Sequence, residues 1–399
     1  MERPNVIIIV MDTMRLDAFS NIESRFKSFE KLGLDSLNNC IAPSSWTLPS
    51  HASLFTGMYP SEHGSHETTK IKSLDIEHIS LKVPTFIKDL NAIGYSSYGI
   101  SANPYVHPVY GFKDFSFFHE ESYFTDIFGS VVEVSEKVKP RILKYRNAYG
   151  NDIIKLSHAM LKEDPNLFFE AAGSALTLTP KAFLKKARAK LIDGWPIEKG
   201  GKNSVKLVKG MDFKKQYFLF VNLMEAHDPY IGKKGMDMNW STPFQKKPVE
   251  EKLIEQWKRL YDGASLKAYR YAAEIVKSMI DRYGDDQLII VTSDHGQEFN
   301  EHGFIGHGTM LHDEMIKIPF AVKLPYKSKP INENGYSSLV GIKNLVLDVI
   351  SSKAGALERF SSGKAKAESF GIPANISMKD SIDPAKIKAH EKEIVRILK

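Results

Sequence analysis

Three apolar runs in the chain are each followed at once by residues that bind metals or move protons. Val6–Val10 leads to Asp12, Tyr217–Leu223 leads to Glu225-Ala-His-Asp228, and Leu288–Thr292 leads to Asp294-His295. Carboxylates and imidazoles gathered from distant parts of a chain make a donor set for a divalent cation. Packing offers no reason for them, because an unpaired carboxylate at a buried strand end is costly.

A fourth stretch, Ala42-Pro-Ser-Ser-Trp-Thr-Leu-Pro-Ser-His51, reads as a turn that opens a helix. Pro49 suits a first helical turn, and Thr47 or Ser50 can cap it. A helix start also favours an anion. A hydroxyl held there against a cation can ionise and attack phosphorus or sulfur. Beyond Asp294-His295, the glycine-rich segment to Gly308 adds His302 and His307, in a loop able to fold back over the site.

The three apolar runs are short and rich in β-branched residues, the pattern of strands buried on both faces of a parallel sheet. Between them the spacing predicts helices over Leu81–Leu90 and Lys252–Arg282, where Leu253, Trp257, Leu260 and Tyr261 recur at helical intervals. Strands alternating with helices predict an α/β fold, whose ligands bind at the carboxyl ends of the strands. Phe115–Asp212 differs: it is rich in Lys and Phe, helical in pattern, and reads as an insertion. Within it Lys181, Lys185, Lys186, Arg188 and Lys190 alternate with Phe183, Leu184, Ala187 and Leu191 as a basic amphipathic helix. Such a helix is most simply a solvated face, and it also suits a membrane surface or a polyanion. After Pro325 come loops, an apolar helix near Leu339–Ile350 and a charged helix from about Pro384. The expected domains are therefore a catalytic domain over 1–325, carrying the insertion, and a small extension over 326–399.

With 399 residues and an ordinary apolar content, the chain is long enough for a large α/β domain, and a disordered or fibrous protein is excluded. Lys and Arg exceed Asp and Glu by six, which fits a solvated basic surface and would also favour anionic substrates. Cys40 is the single cysteine, so neither an intrachain disulfide nor a cysteine zinc cluster can form. The run at Val6–Val10 is too short for a signal core or a membrane span, and the expected location is cytoplasmic. No nucleic-acid partner is expected.

The ordered set Asn5–Asp12, Thr47-Leu-Pro-Ser-His51 with Leu54-Phe-Thr-Gly57, Ser293-Asp-His-Gly296 and Gly306-His-Gly308 resembles the sulfatase branch of the alkaline phosphatase superfamily. The resemblance implies a three-layer α/β/α sandwich around a mostly parallel sheet, with a helical insertion. It implies Asp12, Asp294 and His295 as metal ligands, and Thr47 as both nucleophile and ligand. His227 and His307 fall where the family contacts the substrate oxyanion or protonates the leaving group, and His307 is the expected general acid. His51 stands where many sulfatases have an arginine that supports the nucleophile, and Asn103 is a candidate anion contact. A second metal on some of His227, Asp228, His302 and His307 is compatible with the pattern.

Two departures bear on the chemistry. Sulfatases place Cys or Ser at the nucleophile, for conversion to formylglycine, which Thr47 cannot undergo. Thr13 stands where many have a second Asp ligand. Loss of that carboxylate beside the imidazole of His295 shifts the preference from calcium or magnesium toward manganese or zinc. The expectation is a metal-dependent hydrolase or transferase of phosphate esters, acting through phospho-threonine on a small-molecule, lipid or glycan ester. The alternatives are a sulfuric ester hydrolase and, from another class, a non-catalytic metal-binding homologue.

Overall fold

In the computed structural model, the sheet strands follow the chain as β1 (Asn5–Met11), β2 (Asp35–Ile41), β3 (Ser96–Ser101), β4 (Phe117–Glu120), β5 (Tyr217–Leu223) and β6 (Gln287–Thr292). After a hairpin of β7 (Glu298–Phe299) and β8 (Ile305–Gly306), β9 (Lys317–Lys323) and β10 (Ser337–Ser338) complete the sheet. The structure describes residues 3–67, 76–121, 153–169, 198–228, 230, 242–326, 335–361, 363–371, 383–390 and 392–398.

The order across the sheet is β10-β2-β9-β6-β1-β5-β3-β4. Every neighbouring pair is parallel except those made by β9, which runs antiparallel to both β2 and β6. The three runs read from the sequence are β1, β5 and β6, side by side at the centre and wholly buried.

Alternation along these strands splits the core in two. Val6, Ile8, Val10, Phe218, Phe220, Leu288 and Ile290 face one layer, which includes Leu48, Phe55 and Phe86. Ile7, Ile9, Met11, Leu219, Val221, Ile289 and Val291 face the other, with Phe19, Trp257, Tyr269 and Ile275. Helices therefore cover both faces of the sheet, which is the expected α/β/α sandwich. The first layer holds the helices Thr47–Thr56 and Ile342–Ile350, and the second holds Leu16–Phe26 and the long helix Glu251–Tyr283.

The predicted helix over Leu81–Leu90 starts only at Phe86 and runs to Ala92. Pro84 explains the delay, since it keeps the residue before it out of the helical region. The chain divides into two compact units, Met1–Glu121 with Lys199–Lys399, and Ser122–Glu198. β4 and the helix Gly201–Gly210, both inside the 115–212 segment, thus belong to the larger unit. The smaller unit contains the helix Ile153–Glu163, on which Ala159 and Met160 are buried. The basic helix expected around Lys181–Leu191 lies outside the described residues. After residue 326, β10 pairs with β2 and the strands β11 (Ala365–Ser369) and β12 (Ile394–Leu398) pair with each other, so this region packs within the larger unit. Among the described residues no helix is long and apolar enough to cross a membrane.

Candidate functional site

β1 and β6 are adjacent and parallel, so the residues that follow them come out together at the carboxyl edge of the sheet. Asp12 follows β1 directly, and its backbone N–H still donates to the Leu223 carbonyl of β5 at 2.9 Å. Asp294 and His295 follow β6. The helix Thr47–Thr56 begins at Thr47 and all ten of its residues are buried, which fixes the hydroxyl within the site. One ligand atom from each of Asp12, Asp294 and His295 lies within 4.8 Å of the others.

Each group is oriented by a contact behind it. His295 Nδ1 donates to the Gly296 carbonyl at 2.9 Å, which leaves Nε2 to face inward. That Nε2 stands 3.5 Å from Thr47 Oγ1, 3.4 Å from Asp294 Oδ2 and 3.9 Å from Asp12 Oδ1. Asp294 Oδ1 accepts from the backbone N–H of Thr13 at 3.1 Å and of His295 at 2.9 Å. Thr13 adopts a left-handed φ of 59° to aim its N–H there, a strained choice for a β-branched residue. Asp12 Oδ2 accepts from the amides of Asn103 at 2.8 Å and Asn222 at 3.1 Å.

The other oxygens, Asp12 Oδ1 and Asp294 Oδ2, are buried and accept no hydrogen bond from any described residue. Burial raises the pKa of both carboxyls, and for Asp12 the neighbouring Asp294 charge adds to the effect. His295 moves the other way, down to about 4, chiefly by burial, and so presents a neutral imidazole. Two unsatisfied carboxylate oxygens, a neutral ring nitrogen and a hydroxyl converge on one point. That donor set fits a divalent cation.

A second group adjoins the first. His227, Asp228 and His307 also place ligand atoms within 4.8 Å of one another. The ring of His307 lies 4.7 Å from that of His295 and 4.9 Å from that of His227. His227 Nδ1 sits 2.8 Å from Asp228 Oδ1. Burial alone would lower the His227 pKa, but Asp228 overrides it and lifts it to about 9. His307 is pushed well down, by burial and then by His295, and its Nδ1 donates to Gln297 Oε1 at 2.7 Å. The expected proton donor, His307, thus lies beside His227, and its surroundings favour its neutral form while Asp228 favours the charged form of His227. His302 is not in this group: its Nε2 pairs with Glu314 at 2.9 Å, on the β7–β8 hairpin.

His51, one turn into its helix, donates through Nδ1 to the Thr47 carbonyl at 2.9 Å and lies 3.6 Å from Asp294 Oδ2. Asn103 Nδ2 reaches Thr47 Oγ1 at 3.1 Å as well as Asp12. Two contributors escaped the sequence reading. Asn222 was visible in principle as the lone amide in the apolar run of β5. Lys199 gave no signal; it is buried, donates to the Glu225 carbonyl at 3.2 Å and to that of His227, and burial lowers its pKa to about 8.

The sulfatase family model matches residues 4–352. The chain belongs to the sulfatase family. It is a sulfatase-like hydrolase acting on ester bonds, and enzymes of this family are metal-dependent. No curated protein matches the sequence. Among solved structures, this sulfatase-family chain is similar in fold to the phosphonate monoester hydrolase of Agrobacterium radiobacter, at 14% identity and TM-score 0.53, covering 99% of this chain and 85% of that one. A 2-O GAG sulfatase matches at 13% identity and TM-score 0.54, covering 92% and 78%. The C-terminal periplasmic domain of EcEptC from Escherichia coli, in complex with Zn, matches at 12% identity and TM-score 0.50, covering 88% and 83%.

Proposed function

We propose that this protein cleaves or transfers phosphate esters through a covalent phospho-Thr47, with a manganese or zinc ion held by Asp12, Thr47, Asp294 and His295. The observation that carries the reading is the Thr47 hydroxyl itself. It sits at a helix start, 3.5 Å from His295 Nε2 and beside two carboxylate oxygens that lack hydrogen bonds.

A cation bound there would lower the pKa of a coordinated hydroxyl and draw charge from the ester. The chain supplies the remainder. Thr47 gives its proton to solvent and attacks phosphorus as the alkoxide; the new P–O bond forms as the bond to the leaving alcohol breaks. Asn103, which donates to Thr47 Oγ1, stabilises the anionic oxygen before attack. Protonated His227, held by Asp228, faces the oxyanion and gives its proton to the departing alcohol. His307, whose surroundings favour the neutral imidazole, accepts a proton from the water or acceptor alcohol that releases the phosphoryl group. His51 fixes the first helical turn through the Thr47 carbonyl and so positions the nucleophile.

Small-molecule, glycan or lipid-linked esters are the substrates in view, a reading supported by the fold shared with a 2-O GAG sulfatase and a phosphonate monoester hydrolase. A sulfuric ester substrate is the second reading, favoured by the family match itself. Aryl phosphate monoesters, phosphodiesters and sulfates, assayed with Mn²⁺, Zn²⁺ and Ca²⁺, separate the two. Phosphorus turnover is expected to dominate and to vanish in Thr47→Ala. Dominant sulfate turnover, or full activity in Thr47→Ala, overturns the proposal.

A further inference from the structure

Away from the catalytic edge, the β7–β8 hairpin and the turn after it bring together a second kind of donor set. Glu298 lies on β7 and its carboxylate is fully buried. His312 stands just before the short helix Asp313–Ile316, and its Nδ1 lies 2.9 Å from each of the two Glu298 oxygens. His302, from the turn of the hairpin, places its ring 4.2 Å from that of His312, and its Nε2 is 2.9 Å from Glu314. One ligand atom from each of Glu298, His302 and His312 lies within 4.8 Å of the others.

We propose that Glu298, His302 and His312 bind a divalent transition cation, best matched by zinc, at a structural site separate from the catalytic centre. Two imidazoles and one carboxylate form an established zinc donor set, with a fourth position open to water or, here, to Glu314. The site answers a problem posed by the fold. Two imidazoles and two carboxylates crowd at a half-buried point, where the two adjacent, tilted rings cannot both carry a proton cheaply. Burial pushes the Glu298 carboxyl up to about 8, which marks a carboxylate short of positive charge. A cation supplies that charge and relieves the rings of it.

The geometry allows closure. Donors about 2.0–2.2 Å from zinc stand roughly 3.5 Å apart, so the Glu298–His312 contact at 2.9 Å opens slightly as the ion replaces its proton, and His302 draws in from within 4.8 Å. His302 can supply that movement: its side chain is half exposed, and it rides on a tight turn in which Asn300 and Gly303 both take positive φ. Glu298 and His312 are already in contact. The ion would tie the hairpin to the turn at His312, and the same hairpin leads directly into His307.

The test is metal stoichiometry. The full chain is stripped with a chelator, equilibrated with ZnCl₂ by dialysis, and its zinc counted per chain. Wild type is expected to retain one equivalent more than H302A/H312A. The Asp12→Asn/Asp294→Asn variant should still lose one equivalent on adding H302A/H312A, which separates this site from the catalytic one. Should the double variant not fold, His302→Ala alone, at its exposed position, is expected to weaken the corresponding zinc affinity at least tenfold. Equal zinc content and affinity in wild type and the histidine variants would show a hydrogen-bonded Glu–His cluster only, and would overturn the proposal.

Discussion

The hydroxyl of Thr47 lies 3.5 Å from Nε2 of His295, although 248 residues separate them in the chain. Two independent elements impose this. The Thr47–Thr56 helix is buried along its whole length, and β6 delivers His295 from the centre of the sheet. The hydroxyl is therefore held in place before any substrate arrives. Thr47→Ala is expected to reduce turnover at least about 10³-fold, as loss of a nucleophile does, while Thr47→Ser keeps measurable activity. Intact-protein mass spectrometry of a quenched reaction should show one phosphoryl group on the wild type and none on Thr47→Ala.

Asp12 and Asp294 shape how stability depends on metal and pH. Their folded pKa values are raised, so each charged carboxylate opposes folding at neutral pH, and the opposition fades as pH falls toward the folded values. Chelator-stripped protein should gain stability from these groups as pH falls through their raised folded values toward the ordinary carboxylate range, and added Mn²⁺ or Zn²⁺ should remove that gain by stabilising the charged form. Asp294→Asn is expected to stabilise the stripped protein at pH 7 by about 1–3 kcal/mol and to abolish the metal-induced rise in Tm. Thermal melts with and without metal read both effects.

The His227–Asp228 pair predicts the alkaline limb of activity. His227 is raised to about 9, so it stays protonated at neutral pH and loses its proton as pH rises through that value. Asp228→Asn removes the charge that lifts it, and burial then lowers it. The descending limb of the kcat/KM profile is expected to move at least one pH unit toward acid in that variant. An unmoved limb would exclude His227 as the donor.

The legible parts of the molecule were those where one physical demand dominated. β1, β5 and β6 must be apolar on both faces, so they stand out as runs, and their carboxyl ends pointed to Asp12, His227 and Asp294. β3 did not stand out, because Ser96-Ser-Tyr-Gly-Ile-Ser101 is polar and small where neighbours crowd it. A Cβ on Gly99 would stand 2.8 Å from Phe118. β2 hid for a different reason, being partly exposed, with alternation broken by a bulge between Leu37 and Cys40. Within the site, residue types revealed the donors but not their protonation. Burial and the neighbouring His295 and His227 lower His307, whereas contact with Asp228 raises His227, and residue type alone shows neither.

Lys199 is expected to matter through the backbone it holds. Buried, it donates to the carbonyls of Glu225 and His227, which bracket the turn that presents His227. Lys199→Met keeps the length and removes both bonds. The expected result is a loss of about 1–3 kcal/mol in stability from carbonyls left unpaired, with kcat falling more than KM changes. Denaturant melts and steady-state kinetics separate the two effects.

Gly296 closes the wall behind the site, and its lack of a side chain is a steric requirement. Its N–H donates to the Met315 carbonyl at 2.7 Å, and the next N–H, of Gln297, donates to the Glu314 carbonyl at 3.1 Å. A Cβ at 296 would stand 1.9 Å from the Glu314 carbonyl oxygen, which is backbone and cannot swing aside. Gly296→Ala must therefore separate the loop after β6 from the Asp313–Ile316 helix. That movement withdraws the Gly296 carbonyl that holds His295 Nδ1, and with it the ring that faces Thr47. The variant is expected to lose about 3 kcal/mol or more by overpacking and to bind Mn²⁺ or Zn²⁺ at least about tenfold more weakly. A Gly296→Ala protein with wild-type melting and metal affinity would show that the Gly296–Glu314 contact does not position His295.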